Sequence, residues 1–138
     1  MSAAEKEVNA EVSSPRLRVL VVDDDPDTVS TLSMLLRDAN YEVRGHRTGQ
    51  AAVDSLRGGF KPDVVISDIA MPRVNGWTLA KEVRRRMGSR PLLIAITGQY
   101  TKSADKALSH TSGFDHYLTK PADPNVLLTL VAGVKPGE

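Results

Sequence analysis

The 138 residues predict an α/β domain, doubly wound around a five-stranded parallel sheet. Three observations carry this. Short β-branched runs alternate with stretches of helical spacing along most of the chain. Residues 19–22 and 92–96 are apolar at every position, as strands covered on both faces require. The same kinds of polar residue follow the runs: Asp23, Asp24 and Asp25 after the first, Asp68 after the third, Thr97 after the fourth, and Thr119, Lys120 and Pro121 after the last.

Each element has its own signals. Residues 1–15 are polar, carry Glu5, Lys6, Glu7 and Glu11, and end in Pro15, so they read as a flexible N-terminal tail. The first strand covers residues 17–22. Asp25-Pro26 then supplies an N-cap and a first-turn proline for a helix with its apolar stripe at Val29, Leu32, Leu35 and Leu36. Residues 41–45 form a more polar strand nearer an edge. Thr48 caps a helix carrying Ala52, Val53 and Leu56, and Gly58-Gly59 stops it. The third strand covers residues 63–67. A loop with Pro72 and Gly76 leads into a helix with Trp77, Ala80, Val83 and Met87, ended by Gly88. After the fourth strand, residues 92–96, Ala104, Ala107 and Leu108 mark a weak helix. The fifth strand covers residues 114–118. Asp123-Pro124 repeats the earlier capping device before a helix with Val126, Leu127, Leu130 and Val131. The domain spans residues 16–134, and residues 135–138 form a C-terminal tail.

Five strand–helix pairs imply right-handed crossovers and a (βα)5 domain of flavodoxin-like type. Strand order 2-1-3-4-5 is one of the two common solutions. It sets the first strand beside the third, so Asp23 and Asp24 lie next to Asp68 at the carboxyl edge, where open α/β sheets bind ligands.

Bulk properties exclude several classes. With no cysteine, disulfides, thiolate metal sites and cysteine catalysis are ruled out. A net charge of +1 gives no pull toward nucleic acid. No apolar stretch approaches the roughly 20 residues of a membrane helix, and residues 1–15 lack the apolar core of a signal peptide. The expected location is the cytoplasm, with no direct nucleic-acid or membrane partner.

Two unit charges roughly 5 Å apart repel by about 3 kcal/mol at an effective dielectric near 20. A cluster of three aspartates therefore calls for protonation or for a cation. A hard, oxygen-liganded ion such as Mg²⁺ suits these donors, with Mn²⁺ as a substitute. Other acids have simpler roles. Asp25 is a cap, Asp27 suits the helix dipole, and Asp63 and Asp115 begin strands at the far edge, where Asp63 is expected to be solvated. A calcium loop starting at Asp23 fails, because Thr28 and Met34 stand where a glycine and a glutamate are needed. The Asp-x-Asp-x-Thr pattern of aspartate-nucleophile phosphohydrolases fits weakly, since Asp27 replaces its threonine.

Four segments in order, Val21-Val22-Asp23-Asp24-Asp25, Ser67-Asp68-Ile69-Ala70-Met71-Pro72 with Gly76, Ile96-Thr97-Gly98, and Tyr117-Leu118-Thr119-Lys120-Pro121, closely resemble the receiver domain of bacterial two-component response regulators. The resemblance covers about residues 16–134. It implies that Asp68 accepts a phosphoryl group from the phosphohistidine of a sensor histidine kinase or phosphotransfer protein. It implies that Asp24, Asp68 and the Ala70 carbonyl bind Mg²⁺ directly, with Asp23 acting mainly through a metal-bound water. Thr97 and Lys120 would contact the phosphoryl oxygens, the Lys120-Pro121 bond would be cis, and Thr97 and Tyr117 would form a switch. That switch would reshape the surface of the last two helices and last strand toward an unknown downstream protein, or toward a phosphorylation-dependent dimer. Catalysis is limited to self-phosphorylation and slow hydrolysis, and Ala70 and Gln99 would set the phosphoryl lifetime.

The remaining features have plainer readings. Arg84-Arg85-Arg86 is a solvated helix end with a favourable dipole. His46, His110 and His116 lack metal-ligand spacing and suit surface positions. Trp77 is packing, with a side use as a fluorescent reporter. Two rival functions remain distinguishable: a Mg²⁺-dependent phosphatase with an aspartyl intermediate would turn over small phosphate esters, and a constitutive interaction module on the same fold would take no phosphoryl group.

Overall fold

The computed structural model describes residues 16–98 and 113–137. The helix expected around Ala104, the tail of residues 1–15, Gln99 and His110 lie outside the described residues. In chain order the elements are β1 (Arg18–Val22), α1 (Pro26–Asp38), β2 (Glu42–His46), α2 (Gly49–Arg57), β3 (Val64–Asp68), α3 (Gly76–Met87), β4 (Leu92–Thr97), β5 (His116–Thr119) and α4 (Pro124–Ala132). The five strands form one parallel sheet in the order β2-β1-β3-β4-β5, as the sequence predicts.

The alternation of strand side chains divides the core in two. Leu20, Val22, Val65, Leu93 and Ala95 face Val53, Leu56, Leu79 and Val83 of α2 and α3. Val19, Val21, Val64, Ile66, Ile94 and Ile96 face Leu36 of α1 and Leu127 and Val131 of α4. Both faces are covered, which explains why β1, β3 and β4 are almost wholly apolar.

The helix starts follow the caps written in the sequence. Asp25 accepts from the Asp27 amide and Asp123 from the Asn125 amide, each followed by proline. Thr48 and Asn75 cap α2 and α3. Edge strand β2 alternates buried Val43 with exposed Glu42 and Arg44, and the Arg44 guanidinium lies 4.4 Å from the centre of the Phe60 ring.

Two expectations are corrected at the far edge of the sheet. Asp63 is buried, not solvated. Its carboxylate accepts from the Arg18 amide at 2.8 Å and the Gly137 amide at 2.7 Å, with the Arg18 guanidinium 3.7 Å away. Arg84 is not a solvated helix end either. It donates to the carbonyls of Gly88, Pro91 and Gly113 and pairs with Asp115 at 2.9 Å, joining α3 to the start of β5. Arg85 and Arg86 do match the simpler reading, both pairing with Glu82 on the surface of α3.

Candidate functional site

The β1 run of Val19–Val22 ends in Asp23, whose amide continues the ladder by donating to the His46 carbonyl at 3.1 Å. Strand β3 ends in Asp68, and its neighbours β1 and β4 place Val22 opposite Ser67 and Ile96 opposite Asp68. These registers bring Asp23, Asp24 and Asp68 to one edge. One carboxylate oxygen from each lies within 4.8 Å of the others. Asp23 and Asp68 are buried and Asp24 is exposed.

Lys120 follows β5 and reaches back across the sheet edge. Its Nζ lies 2.8 Å from an Asp23 oxygen and 3.3 Å from an Asp68 oxygen. Burial pulls its pKa down, but the hydrogen bond and charge of Asp23, followed by those of Asp68, more than offset this and hold the ammonium charged. Burial pushes the Asp68 carboxyl up from its usual value, and the charge of Asp23 adds to it, with Lys120 pulling the other way. The Lys120-Pro121 peptide is cis. Thr97 closes β4, buried, and its carbonyl accepts from the Lys120 amide at 2.8 Å.

Asp24, Asp68, Ala70, Trp77, Thr97 and Lys120 line one open cleft of about 740 Å³. Every residue that the sequence assigns to metal or phosphoryl binding is therefore in or beside this cleft. Tyr117 stands further back on β5, half-buried, packed edge-on against Phe114 with ring centres 5.6 Å apart. Asp25 stays out of the cluster as a cap, bonded to the Thr28 hydroxyl at 2.8 Å.

Three contacts had no readable signal in the sequence. Lys120 bridges Asp23 as well as Asp68. The Trp77 indole bonds to Tyr117. Half-buried His46 bonds to the Ser55 hydroxyl at 2.9 Å. The first two join elements whose adjacency depends on the strand order, whereas the third links consecutive elements nine residues apart.

A hard divalent cation fits this donor set. Three carboxylate oxygens converge, all donors are oxygen, and two of the acids are buried with Lys120 between them. Ala70 also lines the cleft. The arrangement brings together carboxylates that could hold a cation, a threonine and an ammonium, groups of the kind that phosphoryl transfer to an aspartate uses.

The profile described as the response regulator receiver domain matches residues 19–132. Protein PilH of Pseudomonas aeruginosa is 31% identical over 120 residues, 87% of this chain and 98% of that protein. An uncharacterized 14.6 kDa protein of Leptolyngbya boryana is 38% identical over 117 residues, covering 84% of this chain and 88% of the relative. The transcriptional regulator RpaA of Synechocystis is 32% identical, but the match spans only 47% of its length. Among solved structures, chemotaxis protein CheY4 of Vibrio cholerae aligns with TM-score 0.79 and 30% identity, over 87% of this chain and 99% of that one.

Proposed function

Because the chain belongs to the response regulator receiver domain family, we propose that Asp68 takes a phosphoryl group from a phosphohistidine on a sensor histidine kinase or phosphotransfer protein. Receiver domains are switch modules that work between such donors and downstream targets. The observation that carries the reading is the convergence of Asp23, Asp24 and Asp68 within 4.8 Å, bridged by Lys120 at the carboxyl edge of the sheet.

In this reading an Asp68 oxygen attacks phosphorus, the P–N bond breaks, and its electron pair returns to the leaving imidazole. Asp23, Asp24, Asp68 and the Ala70 carbonyl would hold Mg²⁺, or Mn²⁺ in its place, which supplies positive charge against the anionic donor. Lys120 exchanges part of its pairing with the acids for the equatorial phosphoryl oxygens. The Thr97 hydroxyl donates to the same oxygens. The reaction brings about −1.5 to −2 charges and three strong acceptors to the cleft. Thr97 is drawn toward them, and Tyr117 answers on the same sheet face as the second half of the switch. Among the described residues the output surface is that of α4 and β5, presented to a downstream protein or to a second copy of the chain.

Incubation with Mg²⁺ and acetyl phosphate followed by intact-mass measurement tests this. One acid-stable, base-labile phosphoryl adduct is expected, lost with chelator and absent in Asp68→Asn. An unmodified wild-type chain, or an equal adduct on Asp68→Asn, would overturn the assignment.

A further inference from the structure

Trp77 is the second residue of α3 and the chain's one tryptophan. It is held from two sides. The preceding Gly76 packs directly on the backbone of the candidate acceptor. A Cβ at Gly76 would collide with the Asp68 carbonyl oxygen and would stand 2.8 Å from the Ile69 Cα, and the Gly76 amide donates to the Ile69 carbonyl at 2.9 Å. The first turn of α3 therefore cannot keep its place if the Asp68–Ile69 backbone shifts. On the other side, the Trp77 Nε1–H donates to the Tyr117 Oη at 3.2 Å, across 40 residues of sequence.

The same indole lines the cleft with Asp68, Thr97 and Lys120. It also packs, together with Tyr117, on the core between the sheet and α2–α3. Tyr117 sits opposite Ala95, and Thr97 is the next β4 residue on that face. Two physical routes thus lead from the carboxyl edge to one phenol. One runs through β4 and Thr97. The other runs through Gly76 and Trp77.

We propose that Trp77 is a positioning residue that couples Asp68 to Tyr117 through the first turn of α3. Its indole N–H holds the phenol against the sheet, and modification of Asp68 changes that bond. This rests on the acceptor reading of Asp68, and it adds a contact that the acceptor chemistry does not require.

A lone tryptophan has a single indole N–H resonance, so nitrogen–proton NMR on the full chain reads this contact without ambiguity. Tyr117→Phe keeps the ring and removes the acceptor. The indole proton should then exchange with solvent about fivefold faster, as loss of one ordinary hydrogen bond implies. In the wild type the resonance should shift when Mg²⁺ and acetyl phosphate are added, and the shift should shrink in Tyr117→Phe. Phosphoryl occupancy at fixed acetyl phosphate, read by intact mass, should respond to Trp77→Phe and Tyr117→Phe without the two effects adding in the double variant. An adduct on Asp68 with an unmoved indole resonance would refute the coupling and leave the acceptor reading standing. Unchanged indole exchange in Tyr117→Phe, or fully additive effects, would refute it too. If no adduct forms at all, the acceptor reading fails and the coupling fails with it.

Discussion

Asp68 and Asp23 are two buried carboxylates that share one ammonium, so Lys120 matters to the folded chain before any chemistry begins. Lys120→Met should remove the one cation that the described residues bring to both acids. The expected loss is about 2 kcal/mol in chelator, less than for a fully buried pair because the lysine is partly solvated. Mg²⁺ should recover much of it by binding the native carboxylates alone. Urea unfolding of the variant with and without Mg²⁺ checks this, and equal midpoints in the two conditions would argue against a cation site. The acids themselves were legible in the sequence, because Asp23, Asp24 and Asp68 each end an apolar run. The burial of Asp63 was not. Its partners are the amides of Arg18 and Gly137, 45 and 74 residues away, and no local pattern marks a carboxylate that such distant amides will enclose.

The helices and strands are where the sequence spoke most clearly. Caps are local chemistry, so Asp25-Pro26, Thr48 and Asp123-Pro124 announced three helix starts without knowledge of the fold. Strand limits moved by a residue or two, since strand ends depend on neighbours rather than on the run itself. Gly76 shows what an isolated element conceals. Its side-chain-free Cα lets α3 close on the Asp68 backbone, whereas Gly88 at the other end of that helix has φ +70 and open space around it. Gly76→Ala should therefore cost about 2 kcal/mol by overpacking and weaken Mg²⁺ binding. Gly88→Ala should cost about 1 kcal/mol through backbone strain alone and leave Mg²⁺ binding unchanged. Paired urea melts and Mg²⁺ titrations separate the two. Equal Mg²⁺ affinities would show that the α3 start does not position the site.

At the scale of the whole molecule, a single sheet separates two packed layers. Leu127 lies in one and Val83 in the other, with no shared neighbours among their clusters. Leu127→Ala should cost about 3 kcal/mol and Val83→Ala about 2 kcal/mol. Combined, they should add within roughly 0.5 kcal/mol while unfolding stays a single transition. Marked non-additivity in chemical denaturation would mean that the sheet transmits repacking from face to face. Strand order, more than composition, makes this molecule: it joins polar groups from the ends of four strands and puts Lys120 across from Asp23. Pattern could propose that order but could not choose it over its common alternative without the acids.

An open parallel sheet has flanks, and β2 is one of them. There Arg44 spreads its flat cation over Phe60 while Glu42 stands beside it along the strand. The result is a charged and partly roofed rail, poorly suited to receive a stray strand from another copy. Growth of the sheet from this flank would have to break that stack and bury those charges.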